Sequence, residues 1–218
     1  MCINYSAVNA ITVNDGCPRP HIEDLLHCRH GSCWFTKSDL AAGYHQIRIA
    51  TANRRKTAFA TEFDSCEWRD LPLDLANAPS LFMCMMNGIL EPMKHKIIIV
   101  YLDNIMIQSL TLVEHVVHVR EVLTLLTEHG LKAKRVKCTW ACQKVDFYGF
   151  DIGKDGTHAQ EHKTHAVMDL PQPEHSKDVR GFLGLTSYYR KFIEHHAHIA
   201  MPLYPIGTPL KGRRDIGR

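Results

Sequence analysis

Two amphipathic stretches set the pattern of hydrophobic and polar positions along the chain. Asn77 to Met93 carries Phe82 and four methionines on one side, with Pro79 in the first turn, which predicts a helix with a core-facing surface. Thr111 to His129 repeats valine and leucine with a similar period, and Gly130 follows it. The pattern therefore predicts two helices that each bury one face.

The most apolar run lies between these helices. Ile97 to Leu102 is apolar and mostly β-branched, Asp103-Asn104 interrupts it, and Ile105-Met106-Ile107 resumes it. Two apolar runs joined by such a pair are typical of a tight β-hairpin, so we place the turn at Asp103-Asn104. The run is too short to cross a bilayer, and we expect no membrane partner.

Shorter patterns complete an α+β fold, in which strands are interleaved with helices. Residues after the Pro171–Pro173 linker predict a small all-helical subdomain. The other predicted elements are a helix over His21–His27, strands over Cys33–Thr36 and Lys56–Thr61, a hairpin turning at Lys154-Asp155-Gly156, a helix from an N-cap at Ser176 to about Thr186, and helical residues Tyr188–His195.

Composition indicates a globular chain in a reducing compartment. The 218 residues are 45% hydrophobic and 22% charged with a net charge of +3, which argues against a disordered or fibrous chain and only permits a nucleic-acid partner. No charged-then-apolar leader opens the chain, so we expect an intracellular protein, cytoplasmic or nuclear, with its eight cysteines reduced. A zinc or disulfide module is less favoured, because His115 and His118 lack a convincing third ligand.

Two carboxylates stand where predicted strands end. Asp39 follows one strand, and Asp103 lies in the apolar hairpin. A carboxylate beside a buried strand is costly unless it faces solvent or binds a cation. If the two strand ends are neighbours, they form a hard-oxygen site suited to Mg²⁺, which can activate a hydroxyl and neutralise a leaving pyrophosphate. On spacing alone, a turn that selects Asp-Asn for its backbone geometry is the simpler explanation.

Six strings of residues favour the metal site over the simple turn, because they occur in a fixed order. They are Phe35–Ile49, Lys56–Phe59, Leu71–Pro79, Tyr101-Leu102-Asp103-Asn104, Phe147-Tyr148-Gly149 and Phe182–Ile193. In this order they resemble the first catalytic motif, its following segment, the M-P-F-G-L-x-N-A-P motif, the Y-x-D-D hairpin, the primer grip and the thumb signature of reverse transcriptases from gypsy-type long-terminal-repeat retrotransposon Pol polyproteins. The resemblance runs from Cys2 to about Leu203.

The resemblance implies an α+β fold of the reverse-transcriptase type, with a palm of antiparallel strands backed by helices, partial fingers and a small helical thumb. On this basis the chain begins inside the fingers, and we expect the preceding segment, which brings basic residues to the triphosphate, to be missing. The implied domains are partial fingers over 1–33, the palm with its catalytic hairpin over 34–150, the primer-grip hairpin and linker over 151–173, the thumb over 174–205 and an unmatched tail over 206–218.

The resemblance also implies template-directed addition of deoxynucleotides to a primer on an RNA or DNA template, with two Mg²⁺ ions. The implied site residues are Asp39 and Asp103 as catalytic metal ligands, Asn104 at a substituted catalytic position, Tyr44 under the incoming sugar, Leu73 and Asp74 at the nucleotide, and Tyr148 and Gly149 at the primer grip. A basic segment could contact phosphates, although a solvated charged face explains it equally well. It comprises Lys132, Lys134, Arg135, Lys137 and Lys144, with Trp140 among them.

Three departures from the family pattern predict an impaired or inactive copy, and the first is the fingers segment that we expect to be missing. Asn104 replaces the second aspartate of Y-x-D-D and removes one negative charge from the metal site. Asp74 replaces a glycine that allows close approach of the backbone to nucleic acid, and it adds a negative charge there. The alternative is a non-catalytic remnant that binds nucleic acid or protein. The sequence does not set the oligomeric state.

Overall fold

The computed structural model describes residues 3–15, 31–93 and 97–207, which fall into two compact units. The first unit is Met1–Phe147 with Ile152–Gly156, and the second is Tyr148–Asp151 with Thr157–Arg218. The described residues combine helices with antiparallel strands, which confirms the α+β prediction. The predicted helix over His21–His27 and the tail after Gly207 lie outside the described residues.

The first unit contains most of the strands. Its elements are α1 (Ser6–Ile11), β1 (Trp34–Asp39), α2 (Thr51–Arg54), β2 (Phe59–Ala60), β3 (Ser65–Cys66), α3 (Ala78–Leu90), β4 (Ile98–Tyr101), β5 (Asn104–Ser109), α4 (Leu112–Glu128), β6 (Thr139–Cys142) and β7 (Lys144–Phe147). The predicted strand over Lys56–Thr61 is wrong at its start, because Arg55–Thr57 forms a 3-10 turn and only β2 pairs, with β3.

Both amphipathic helices are confirmed. The methionine-rich stretch forms α3 and continues into a 3-10 turn over Glu91–Met93. The valine-rich stretch forms α4, and the Thr111 hydroxyl at its start accepts a hydrogen bond from the Glu114 N–H at 3.3 Å. In the parts of the chain that the structure describes, we find no helix with the length and apolar character needed to span a membrane.

The central sheet has the strand order β4-β5-β1-β6, and its hairpin turns one residue earlier than predicted. Tyr101 pairs with Asn104, so the turn is Leu102-Asp103 and Asn104 is the first residue of β5. β4 ends there because the Leu102 N–H leaves the sheet and donates to the Met83 sulfur at 2.9 Å, with Leu102 at a φ of +53°. The predicted turn at Asp103-Asn104 is therefore wrong by one position.

The register of the sheet assigns its residues to two faces. Residues that lie directly opposite each other in antiparallel strands share a face. The face that includes Ile105 and Ile107 packs against α3 and α4 in a cluster that buries Phe82, Met86 and Val122. This confirms that the Phe82–methionine face of α3 belongs to the core. The cross-strand row Asp39–Asn104–Tyr101 lies on the opposite face.

A buried histidine joins α4 to the sheet. His115 is 1% exposed, and its ring nitrogens lie 2.7 Å from the Thr36 hydroxyl and 2.9 Å from the Ser109 hydroxyl. Ser109 also lies 2.8 Å from the His118 ring. Burial, and secondarily the neighbouring His118, lowers the pKa of His115. The two histidines are thus engaged in a hydrogen-bond network with Thr36 and Ser109.

The lowered pKa predicts a loss of stability in mild acid. The unfolded chain protonates His115 near pH 6.5, whereas the folded chain resists protonation. The stability is therefore fully present above about pH 6.5 and is lost as the pH falls through that value toward the folded pKa. Urea unfolding at pH 7.5 and 5.5 should show a smaller acid-induced loss for His115→Gln than for the wild type. His129→Gln, at an exposed residue beyond α4, should keep the wild-type pH response; equal responses in all three proteins would contradict the assignment.

The second unit is mainly helical. Its helices are α5 (Glu161–Met168), α6 (Ser176–Tyr188), α7 (His196–Ala200) and α8 (Tyr204–Gly207). The strands β8 (Phe150–Gly153) and β9 (Gly156–Ala159) belong to a three-stranded sheet of order β7-β8-β9. The predicted hairpin is confirmed between β8 and β9, but its turn is Lys154-Asp155, because Gly156 is already the first residue of β9.

The predicted ends of α6 need correction. Ser176 is the first helical residue rather than the N-cap, because the N–H of His175 donates to the Asp178 carboxylate at 3.0 Å. The helix runs two residues beyond the predicted end, to Tyr188. The predicted helical continuation to His195 is wrong, since it contains only a 3-10 turn over Arg190–Phe192 and His195 has a φ of +55°.

The cysteines only partly match the expectation of reduced thiols. Cys33, Cys66, Cys138 and Cys142 are free. Cys84, on the exposed side of α3, is disulfide-bonded, which corrects the expectation at that residue. Among the residues described here, no group of three or more His, Cys, Asp or Glu side chains is arranged to hold a metal ion, so these residues provide no zinc cluster.

Candidate active site

The structure brings the two predicted strand ends together. Asp39 is the last residue of β1 and lies opposite Asn104 in β5. The next residue, Leu40, donates its N–H to the Asp103 carbonyl at 2.9 Å. Asp39, Asp103 and Asn104 therefore lie at one end of the central sheet, as the sequence predicts. Asn104, however, is the first residue of β5 and not a turn residue.

The Asp39 carboxylate is well suited to a cation. Its side chain is 14% exposed, and its Oδ2 lies 3.3 Å from the Lys137 ammonium. Its Oδ1 is buried and has no hydrogen-bond partner among the described residues. A buried carboxylate oxygen without a donor is costly, and a hard divalent cation is the ligand that such an oxygen would take.

Asn104 does more than remove a charge. Its Nδ2 donates to Oδ1 of the adjacent Asp103 at 3.3 Å. An ionised aspartate at this position has no proton to donate, so this contact exists only because the residue is asparagine. The substitution therefore lowers the negative charge of the site and also occupies one oxygen of Asp103.

A glycine lets the loop after β1 approach the hairpin. Gly43 begins the 3-10 turn Gly43–Gln46, and a Cβ atom there would lie 3.0 Å from the Phe82 ring and 3.3 Å from the Asp103 Cβ. The neighbouring Tyr44 packs its ring edge-to-face on Phe82, with centroids 5.3 Å apart. The predicted nucleotide residue Tyr44 is thus supported by the core beside Asp103.

Sequence reasoning missed a connection between this loop and the basic segment. Gln46 donates to the carbonyls of Ala41 and Lys132 at 2.6 and 3.0 Å, and its Oε1 accepts the Lys132 N–H at 2.6 Å. No periodic pattern marks a polar loop residue of this kind. Its position inside the first motif is the only signal that could have pointed to it.

Leu73 and Asp74 lie on a loop that is attached to α1. The Asp74 carboxylate accepts the Tyr5 N–H at 3.1 Å, and its carbonyl accepts the Asn9 side-chain amide at 2.7 Å. Leu73 is 48% exposed. Asp74 has a φ of +73°, in the left-handed region that glycine adopts without strain. The backbone conformation is therefore a second physical reason, besides close approach to nucleic acid, for the glycine that the family pattern has at the position of Asp74.

Tyr148 and Gly149 belong to the second unit. They form the turn between β7 and β8, with φ values of +47° and +81°. The hydroxyl of Tyr188 donates to the Tyr148 carbonyl, and that of Tyr189 donates to the Gly149 carbonyl at 3.4 Å. The predicted primer-grip turn is thus held by the C-terminal end of α6.

The basic segment is accessible to a polyanion. Lys132, Lys134 and Arg135 are exposed, and Trp140 in β6 is 41% exposed. Phosphate contacts require this accessibility, which is also typical of a solvated charged face.

Comparison with known sequences identifies the family. The pattern described as "Reverse transcriptase (RNA-dependent DNA polymerase)" matches residues 1–152. The chain belongs to the reverse transcriptase family. This reverse transcriptase domain is 40% identical over 202 residues to the Retrovirus-related Pol polyprotein from transposon 297 of Drosophila melanogaster, covering 92% of the chain and 19% of that protein. The resemblance to gypsy-type elements is confirmed by 36% identity over 212 residues to the polyprotein from transposon gypsy of the same organism, covering 97% and 20%.

Solved structures agree with the fold of the reverse transcriptase domain. It matches a foamy viral protease-reverse transcriptase in complex with double-stranded DNA with a TM-score of 0.87 and 26% identity, covering 94% of this chain and 36% of that one. A foamy viral protease-reverse transcriptase in complex with an RNA/DNA hybrid matches with a TM-score of 0.83 and 26% identity, covering 96% and 28%. The domain spans about a fifth of the length of the Drosophila relatives named above.

Proposed function

We propose that this reverse transcriptase domain carries a template-directed nucleotidyl-transfer site at Asp39 and Asp103, and that its activity is impaired. The observation that carries the proposal is the buried, unpartnered Oδ1 of Asp39 beside the Asp103 hairpin. The complexes of foamy viral relatives with DNA and with an RNA/DNA hybrid support a primer and an RNA or DNA template as partners.

Each residue would contribute by binding or positioning. Asp39 and Asp103 would hold two Mg²⁺ ions, which when bound lower the pKa of the attacking hydroxyl and neutralise the leaving pyrophosphate. Tyr44, supported by Phe82, would pack under the deoxynucleotide sugar and disfavour a 2′-hydroxyl. The backbone of Tyr148-Gly149 would hold the primer end.

Two substitutions support impairment. With Asn104 in place of aspartate, two carboxylates face a charge of +4 from two divalent ions, and one of their oxygens already accepts the Asn104 amide. At the nucleotide loop, which in our assignment includes Leu73, Asp74 adds a negative charge and a side chain where a polyanion would approach. Both changes weaken binding of charged ligands, and they act at different parts of the site.

Primer extension tests the proposal. On an RNA template with Mg²⁺ and deoxynucleotides, the wild type should extend a primer well below the rate of an intact relative, and Asp39→Asn should reduce extension at least a hundredfold further or to background. Asp64→Asn is the matched control, because Asp64 is exposed in the β2–β3 turn and should leave the rate unchanged. Extension at the relative's rate would contradict impairment. Extension by Asp39→Asn at the wild-type rate would contradict the site.

The exposed cations of the basic segment and Trp140 favour a second candidate, binding of nucleic acid without turnover. Each phosphate contact contributes about −0.9 to the slope of log affinity against log salt concentration. Fluorescence anisotropy with a primer–template hybrid should then show affinity that falls steeply between about 50 and 200 mM salt. Absence of binding at low salt would exclude this candidate.

We also propose an intracellular compartment for the protein.

A further inference from the structure

The loop that follows α4 delivers a lysine to the candidate metal site. The Lys134 N–H donates to the Asp39 carbonyl at 2.7 Å, and Ala133 pairs with Leu40 as an isolated bridge. A 3-10 turn over Arg135–Lys137 then brings the Lys137 ammonium to 3.3 Å from Asp39 Oδ2. Backbone contacts to Asp39 and Leu40 thus hold the segment from which the Lys137 side chain extends.

The ion pair has an asymmetric environment. The Lys137 side chain is 54% exposed, whereas that of Asp39 is 14% exposed. Lys37 lies on the same sheet face two residues before Asp39, but its ammonium pairs with the Asp146 carboxylate at 2.8 Å. Among the described residues, Lys137 is therefore the cation that pairs with Asp39, and solvent access leaves it room to move away.

We propose that Lys137 is a tethered counter-cation that competes with the divalent metal for Asp39. This inference rests on the proposed function, because it takes Asp39 as a metal ligand. A divalent ion that binds both carboxylate oxygens of Asp39 would need Oδ2, which now lies 3.3 Å from the Lys137 ammonium. The positive charge of the ammonium would also repel the ion. Metal binding through both oxygens of Asp39 therefore requires Lys137 to withdraw into solvent.

The size of the competition follows from the exposure of the pair. Exposed ion pairs contribute little to stability because solvent screens them and two long side chains lose freedom. Removing the lysine charge should therefore tighten metal binding by a factor of roughly two to five. The factor should shrink as salt is raised, since salt screens the ammonium from the incoming ion.

Mn²⁺ binding, measured by the loss of the free-ion electron paramagnetic resonance signal, tests the inference without relying on activity. Lys137→Met keeps the apolar stem and removes the charge, and it should bind Mn²⁺ roughly two- to fivefold more tightly than the wild type. Lys134→Met makes the same change in the same segment and should leave the affinity within about 1.5-fold. Lys137→Arg keeps the charge and should retain the wild-type affinity.

Asp39→Asn separates the two proposals. If the wild type binds Mn²⁺ and Asp39→Asn does not, the metal site stands, and the comparison of Lys137→Met with Lys134→Met decides the role of the lysine. Equal or weaker Mn²⁺ binding by Lys137→Met would overturn the competition while leaving the metal site intact. Equal binding would mean that the lysine does not affect the metal, and weaker binding would mean that it positions Asp39 for the metal. If neither the wild type nor Lys137→Met binds Mn²⁺, both proposals are overturned.

Discussion

Replacing Asn104 with aspartate is expected to tighten Mn²⁺ binding at least tenfold and to raise primer extension by a similar factor. The change restores a third carboxylate in the row that includes Asp39, and it removes the amide that Asp103 now accepts. A pair of unit charges about 4 Å apart is worth about 4 kcal/mol near a protein surface. About a third of this interaction energy is enough to change the Mn²⁺ binding constant about tenfold.

A matched substitution separates a local effect from a change in net charge. Asn53→Asp adds the same charge at an exposed residue of α2, and we expect it to change neither Mn²⁺ affinity nor extension by more than about twofold. Asp39→Asn combined with Asn104→Asp should return binding and extension to background. Equal effects of Asn104→Asp and Asn53→Asp would show that the asparagine does not limit the site.

Replacing Phe82 with alanine should lower the free energy of unfolding by about 3–5 kcal/mol. Phe82 is fully buried in the cluster between α3, α4 and the sheet, and it supports the ring of Tyr44. Because domains of this size are stable by only about 5–15 kcal/mol, a measurable unfolded fraction is expected in mild urea. Urea titration followed by circular dichroism measures the change.

The neighbouring Leu81 provides the control for this substitution. It is 45% exposed on the same helix, so Leu81→Ala should cost about 1 kcal/mol or less. Phe82→Leu keeps most of the buried volume and should cost less than Phe82→Ala. A loss below about 1 kcal/mol for Phe82→Ala would mean that the core can close over the missing ring, which contradicts the packing described for Tyr44.

The elements built on apolar periodicity could be predicted from the sequence. α3, α4 and the central hairpin each bury a contiguous apolar face, and that requirement leaves its period in the chain. The hairpin turn was misplaced because Asp-Asn has strong local turn propensity, whereas the position of the turn depends on a bond from Leu102 to Met83, a residue 19 positions away.

The chemistry of the site could be predicted only in part. Motif order and strand ends both predict Asp39 and Asp103, and the structure brings the two residues to one end of the central sheet. The contact of Lys137 with Asp39 joins residues 98 positions apart, and the basic segment offers several equivalent cations, so no local pattern selects one of them. The left-handed backbone of Asp74 was also not accessible, because one residue type alone does not determine φ.

The strand β6 has a consequence for the solubility of the domain. It is the terminal strand of the described four-stranded sheet, and its pairing with β1 is interrupted by a register shift between Phe35 and Lys37. Open strand edges invite pairing with other chains, and short, irregular strands flanked by lysines resist it. Lys137 and Lys144 border β6 on either side. Lys137, the lysine that pairs with Asp39, therefore also helps Lys144 to protect this edge from aggregation, and removal of these charges favours pairing of the strand with other copies.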